Sequence, residues 1–249
     1  WSLGLKIGRR LVELALVDFS GRVRMHRQEV YAHPTPDRVL AFARQGLDTM
    51  TASLDPGQRA RLMGLGVATP YRLWDWGQEM ADWLDHDLQA ELSRSLPVPI
   101  FVENDATTAC GAELIFGKTD LPRDFIHIYI AHFAGGGIVL DGALRHGPTR
   151  NAGALGSMPI PVVGAQGGQL LEKASVSALE ALIGRSLPPD DSGWDVPAGI
   201  EAEWADQAGR ALAFVALSAV ALVDLPLVVI DGAVPPATRA RHQPTDRQP

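Results

Sequence analysis

Asn104 and Asp105 stand side by side, separated only by Glu103 from an apolar run of Pro99, Ile100, Phe101 and Val102. The pattern predicts a strand over 99–102 and a helix over 105–117, which places the pair on a strand-to-helix junction. In an α/β protein such a junction lies at the mouth of the ligand crevice. There a carboxylate can accept a proton from a substrate hydroxyl, and the carboxamide beside it can hydrogen-bond neighbouring hydroxyls. The same Asp105 equally suits a helix cap, a role that needs no ligand.

The elements that must position this pair are legible around it. Leu11 to Phe19 reads as a strand, Ser20-Gly21 as a turn and Val23 to Val30 as a second strand, a hairpin near the start of the domain. Residues 37–54 have helical spacing in Val39, Leu40, Phe42, Ala43, Leu47 and Met50, and 62–68 is a short buried strand. Residues 71–95 form a loop plus helix carrying Trp74, Trp76 and Trp83, which supply either core packing or a stacking face for a sugar. A second series opens with a strand over Phe125–Ile130. Residues 131–137 then turn into a strand over 138–140, and Asp141-Gly142 is a hairpin signal. Residues 147–158 make a Gly-containing loop, followed by helices over 169–183 and 201–223 and a buried strand over 227–230. The expectation is an α/β chain of two similar lobes around a ligand cleft, an N-terminal lobe over 1–118 and a C-terminal lobe over 119–233. Residues 234–249 are a Pro-rich tail expected to be extended or disordered.

Composition narrows the function classes. The chain has 249 residues, 46% hydrophobic and 20% charged, as in an ordinary globular protein. A net charge of -7 argues against wrapping a nucleic-acid backbone with this segment. The one cysteine, Cys110, excludes a disulfide framework and a Cys-rich zinc site. His26, His33, His86, His127, His132, His146 and His242 show no metal-ligand spacing, so no metal site is expected. No signal peptide is evident, and the apolar stretch over 211–223 is short for a bilayer, so a cytoplasmic protein without a membrane partner is expected. The chain starts at Trp1, runs at once into Leu3-Gly4-Leu5-Lys6-Ile7-Gly8, and gives the impression of being cut at both ends.

Six motifs now stand in order: Gly4 to Gly8, Gly64 to Ala68, Glu103-Asn104-Asp105, Gly135 to Gly142, Asn151 to Gly156 and Val229 to Gly232. Together they resemble the ROK family of repressors, open reading frames and sugar kinases, over residues 3 to about 233. The resemblance implies the actin/hexokinase-like, ribonuclease H-like fold, with sugar and ATP meeting between two α/β lobes. Family members are either sugar kinases or transcriptional regulators with an added N-terminal winged helix-turn-helix.

The departures from the family pattern point to the regulator branch. Family kinases open with an Asp-Ile-Gly-Gly-Thr-like phosphate loop, whose acid helps place magnesium. Here Lys6-Ile7-Gly8-Arg9-Arg10 stands instead. The second phosphate loop, Gly-Thr-Gly-x-Gly-Gly-Gly in the family, reads Ala131-His132-Phe133-Ala134-Gly135-Gly136-Gly137, with a ring where a glycine let backbone meet phosphate. Gly8, Gly135, Gly136 and Gly232 mark a degenerate ATP site. Its remaining glycines also suit a tight hairpin or a helix–strand contact. On the sugar side, Asn104 and Asp105 match the family. The sugar-binding Glu and His that follow its Asn-Ala-Gly are Ala154 and Ser157 here. The cysteine-rich zinc motif is missing, and Glu172 matches that motif's last, sugar-binding Glu. Glu172 is equally an ordinary acid at a helix start.

The leading expectation is therefore a sugar- or metabolite-sensing domain of a ROK-type regulator. Its ligand would be held by Asn104, Asp105, Glu172, Ser157 and the space at Ala154, with DNA contacted only by a domain outside this segment. The alternatives are an ATP-dependent sugar kinase with Asp105 as general base, and a catalytically dead structural subunit. ATP and magnesium belong only to the kinase; no other cofactor and no zinc are expected. The resemblance implies a homodimer or homotetramer.

Overall fold

The computed structural model describes residues 1–117, 120–161, 167–189 and 194–234. The chain divides into two compact units, Trp1–Asp105 and the part from Ala106 onward.

The first unit is built on a five-stranded sheet of β1 (Ser2–Ile7), β2 (Leu11–Val17), β3 (Val23–Val30), β4 (Leu65–Thr69) and β5 (Ile100–Asn104), in the order β3-β2-β1-β4-β5. β1, β2 and β3 pair as antiparallel hairpins, and β4 and β5 join parallel to β1. Strict alternation sends Leu3, Leu5, Ile7, Val12, Leu14 and Leu16 into one face of the sheet. That face is covered by α1 (Pro36–Ala52), whose Val39, Leu40, Ala43, Leu47 and Met50 recur at helical spacing and are buried. Gly46 brings α1 close to the sheet, because a side chain there would run into Leu14. The short helix α2 (Pro56–Arg59) carries a capping box between Asp55 and Gln58. Two 3-10 turns, Leu73–Trp76 and Gln78–Asp85, and helix α3 (Leu88–Ser93) occupy the stretch predicted as loop plus helix.

The second unit begins with the body of α4 (Asp105–Phe116), so the compact division lies ahead of the boundary at 118 suggested by sequence order. Its sheet contains β6 (Phe125–Ile130), β7 (Ala134–Leu140), β8 (Ala143–Leu144) and β11 (Val228–Gly232), in the order β11-β6-β7-β8. The pattern repeats the first unit: two antiparallel hairpins, then a strand parallel to the first. β7 starts at Ala134, so all three glycines of the 131–137 segment lie in the strand rather than in a turn before it. A ribbon of β9 (Pro159–Ile160) and β10 (Gly168–Gln169) follows. Next come α5 (Leu171–Ala174), α6 (Val176–Ile183) and α7 (Ala198–Val223). The single helix predicted over 169–183 is broken at Ser175, whose backbone is extended and whose buried hydroxyl accepts the Ala134 N–H at 2.7 Å.

α7 is long and apolar enough to cross a membrane by length and composition alone, although its most apolar stretch in the sequence is short. Here Trp204, Ala208, Ala211, Leu212, Val215 and Ala219 form one buried stripe in a cluster with Ile126, Ile128 and Ile130. The tail expected over 234–249 begins with a buried Val234 in that cluster, and residues 235–249 lie outside the described residues.

On the other face of the sheet, Phe125 and Val139 pack with Cys110 of α4, and burial pushes the Cys110 thiol up to about 12. His127 is also buried, and among the described residues neither ring nitrogen has a hydrogen-bond partner. Burial holds its pKa below the ordinary histidine value, and Asp231 opposes this in part. The unfolded chain therefore takes up a proton that the folded chain resists, so this contribution is complete above about pH 6.5 and lost as pH falls below it. His127→Leu should flatten the fall in urea-unfolding stability between pH 7.5 and 5.5. An unchanged pH slope would show that His127 does not set that fall.

Candidate functional site

The carboxyl ends of the parallel strands β1, β4 and β5 form one edge of the first unit, the edge at which open α/β sheets bind ligands. The register lines up Lys6, Ala68 and Glu103 in one row across these strands, with Glu13 of β2 beside Lys6. Asn104 ends β5 and Asp105 begins α4 with no intervening loop. Asp105 is therefore an acid in the first helical turn, and the capping position belongs to Asn104. The Asn104 side-chain amide donates to Asp105 Oδ1 at 3.2 Å, and the Asn104 N–H donates to Glu103 Oε1 at 2.8 Å. Both side chains are half-buried, so the strand–helix junction and the carboxylates on either side orient them. Negative charge is favoured at this end of a helix. The pair can accept and donate hydrogen bonds to a polyhydroxylated ligand.

The turn from β1 to β2 is closed on itself. The Gly8 N–H donates to the Leu11 carbonyl at 2.8 Å, and the Gly8 carbonyl accepts the Tyr31 hydroxyl at 2.8 Å. Burial raises the pKa of Tyr31, which therefore stays a donor. Arg9 donates to the Trp76 carbonyl at 3.3 Å and pairs with Glu79 at 2.8 Å. The Glu79 carboxyl is held below its usual range by its own backbone N–H and by Arg9. Lys6 pairs with Glu13 at 3.5 Å. Lys6 and Arg9 are thus tied to acids of their own unit.

The three tryptophans part company. Trp83 is buried and donates its indole N–H to the Pro34 carbonyl at 2.6 Å, and Trp76 packs against the core. Trp74 alone of the three is exposed, with the Arg72 guanidinium 5.9 Å from its ring.

In the second unit the glycine-bearing segment is held from both sides. The first amides of α6, Val176 and Ser177 N–H, donate to the Ala131 and His132 carbonyls at 2.9 and 3.0 Å. A helix N-terminus that could have received an anion is occupied by this backbone. The Phe133 ring lies 4.7 Å from that of His132, and His132 faces Glu180 at 3.7 Å. Gly135 faces Ala106 of α4, where a side chain would come within 2.6 Å. Gly136 faces Leu155 and the His127 carbonyl, each at 2.6 Å from where a side chain would begin. Gly232 lies against the Ile130 carbonyl. Close packing of strands and helix requires these glycines whether or not a phosphate is present.

Ala154 and Ser157 border the 3-10 turn Leu155–Ser157, and Glu172 is an exposed acid in α5. The β9–β10 ribbon brings their chain segments together, because the Leu170 N–H donates to the Met158 carbonyl at 3.0 Å. Asn104 and Asp105 thus stand together in the first unit, and Ala154, Ser157 and Glu172 lie in the second, on segments joined by the β9–β10 ribbon. Among the described residues no cluster of His, Cys, Asp or Glu could hold a metal ion. Residues 162–166, ahead of Gly167 in the region matched to the family's zinc motif, and His242 lie outside the described residues. Sequence reasoning missed Tyr31, Glu79 and Ser175, which lock these two segments. Only Ser175 left a local signal, a cap-forming residue inside a helical run.

The model of the ROK family matches residues 2–239. The xylose repressor of Bacillus subtilis is 24% identical over 169 residues, covering 64% of this chain and 42% of the repressor. The chain thus spans less than half the length of that relative. A ROK family transcriptional regulator described as a homolog of the Escherichia coli MLC protein superposes with a TM-score of 0.70 at 22% identity, covering 96% of this chain and 67% of that one. A ROK family glucokinase from Streptomyces griseus, in complex with glucose and AMPPNP, gives 0.68 at 20% identity, covering 93% and 82%.

Proposed function

Since the chain belongs to the ROK family and has its actin/hexokinase-like fold, we propose that it is the sugar- or metabolite-sensing domain of a transcriptional regulator rather than a phosphoryl-transfer enzyme. The observation that carries this reading is the closed turn from β1 to β2. Lys6 stands where the kinase resemblance calls for an acid, and it is paired with Glu13 while Arg9 is paired with Glu79. Magnesium needs an anionic ligand at that point, and phosphate needs unoccupied donors. The first amides of α6, spent on Ala131 and His132, support the same conclusion.

The ligand is a sugar or sugar derivative whose hydroxyls are held by Asn104 and Asp105. Ser157 and Glu172 are the second unit's candidate contacts, and Ala154 leaves room for a bulkier substituent there. A repressor and a regulator among the similar proteins support the regulatory role. DNA would be contacted by a domain outside this segment, in a cytoplasmic protein. The kinase alternative, with Asp105 as general base, draws its support from the intact Asn104–Asp105 pair and from the glucokinase relative.

Calorimetric titration separates the two. A panel of hexoses, pentoses and their N-acetyl and phosphate derivatives is titrated first, then MgATP with and without the best of them. The expected result is sugar binding with no MgATP binding up to millimolar concentration. MgATP binding that tightens in the presence of one sugar, with release of ADP, would establish the kinase.

A further inference from the structure

The stretch that follows β4 stays within the first unit and runs along its ligand-binding edge. Thr69, the last residue of β4, lies beside Asn104 in the register of β4 and β5. Seven residues on, the Trp76 carbonyl accepts from Arg9, just past the end of β1. Neighbouring strands are about 4.8 Å apart, so the ends of β5, β4 and β1 span roughly 10 Å. Trp74 lies between the two anchored ends of this stretch. Its distance from the Asn104–Asp105 pair is therefore of the order of two linked sugar rings. Leu73 is buried and Trp76 packs on the core, whereas Tyr71 is 59% exposed and Trp74 36%. The neighbours of Trp74 thus anchor the chain, and its own ring is left at the surface.

The ring is also held in place before any ligand arrives. Arg72 adopts a left-handed backbone, at φ 54°, and its carbonyl accepts the Asp75 N–H at 2.9 Å. The Arg72 guanidinium lies 5.9 Å from the Trp74 ring and pairs through Nε with Asp75 at 2.9 Å. Ordering entropy is thereby spent in folding rather than in binding. A flat indole suits the apolar C–H face of a sugar ring, as aromatic side chains suit any rigid apolar surface. The guanidinium donates and the carboxylate accepts, so the pair can serve neighbouring hydroxyls on that ring. Because Asp75 already balances Arg72, the platform favours a neutral ring over a phosphorylated one. We propose that Trp74, Arg72 and Asp75 form a second sugar subsite. The ligand is then a neutral disaccharide or longer glycoside, with one ring on Asn104 and Asp105 and the next stacked on Trp74. This rests on the sugar-binding reading of the Asn104–Asp105 pair and specifies the length and charge of the ligand.

The test is calorimetry on the full-length protein with matched pairs of probes. Glucose is compared with maltose, cellobiose and sucrose, xylose with xylobiose, and N-acetylglucosamine with chitobiose. One disaccharide is expected to bind about 10-fold or more tightly than its monosaccharide, the scale of one aromatic stacking contact with its buried area. Trp74→Ala should bring the two affinities to within about threefold of each other, and Trp74→Phe should keep part of the difference. Asp105→Ala should weaken both members of the pair alike. Saturating disaccharide should shield Trp74 from acrylamide, read as the difference in fluorescence quenching between the wild type and Trp74→Phe. Circular dichroism of the Trp74 variants should match the wild type, because this ring is not part of the core. Two results would overturn the subsite while leaving the Asn104–Asp105 reading in place: a disaccharide no tighter than its monosaccharide, or a preference that survives Trp74→Ala. Absence of binding by every saccharide would overturn both.

Discussion

Gly137→Val is expected to destabilise the second unit by about 3 kcal/mol or more, the upper range for overpacking a rigid core. Gly137 sits in β7 opposite His127, and the direction its side chain would take is filled by Cys110 of α4. The Cys110 sulfur would be 2.8 Å from the new Cβ and the Thr107 Cα 3.7 Å away. On another side Gly153, at φ +76°, has its own Cβ direction 2.6 Å from the Gly137 Cα. None of these neighbours is the end of a flexible side chain, so the strain must be taken up by separating α4 from the sheet. Gly209→Ala is the internal control. It lies in α7 with nothing within 4 Å of the added atom, and it should stabilise by about 0.5–1 kcal/mol through helix propensity. Urea-unfolding midpoints measure both. A Gly137→Val protein within 1 kcal/mol of wild type would show that α4 does not pack on β7 as described.

Asp105→Ala is expected to weaken the best sugar ligand by about 10- to 100-fold, the cost of one lost hydrogen bond to a charged group. Its effect on stability should be small, because a first-turn acid contributes only about 0.3–1 kcal/mol to a helix. Asp105→Asn separates the two roles. It keeps a side-chain oxygen near the helix N-terminus and a partner for Asn104, but removes the charge. Stability should stay close to wild type while sugar affinity remains reduced. Calorimetry with the sugar found for the wild type, alongside thermal unfolding, supplies both readouts. Unaltered sugar affinity in Asp105→Ala would move the ligand site away from the β5–α4 junction. Loss of stability in proportion to loss of binding would leave Asp105 with only its helical role.

Much of the molecule follows from local pattern. The strict alternation of β1 and β2, the helical recurrence in α1 and the apolar runs of β6 and β11 each name their element, because burial on one face leaves a period in the chain. The Asn104–Asp105 junction is legible for the same reason: the apolar run ends at Val102, one residue before the pair. The substitutions at Lys6, Phe133, Ala154 and Ser157 are also visible in the order of motifs, and with them the departure from the kinase pattern.

Other features were decided by contacts between distant segments. Nothing near Gly135, Gly136 and Gly137 announces that they continue a strand under α4. A glycine admitted for close approach looks the same in sequence as one admitted for a turn or for phosphate. The break at Ser175 arises because the Ala134 N–H needs an acceptor and finds this hydroxyl across 41 residues of chain. The closure of the Gly8 turn depends on Tyr31 and the pinning of Arg9 on Glu79, partners 23 and 70 residues away. Sequence alone determined which residues could carry ligand chemistry and in which kind of fold. Tertiary structure decided which of their hydrogen-bonding groups were already spent, because a donor or cation satisfied by a distant partner keeps the same identity in the sequence while losing its availability.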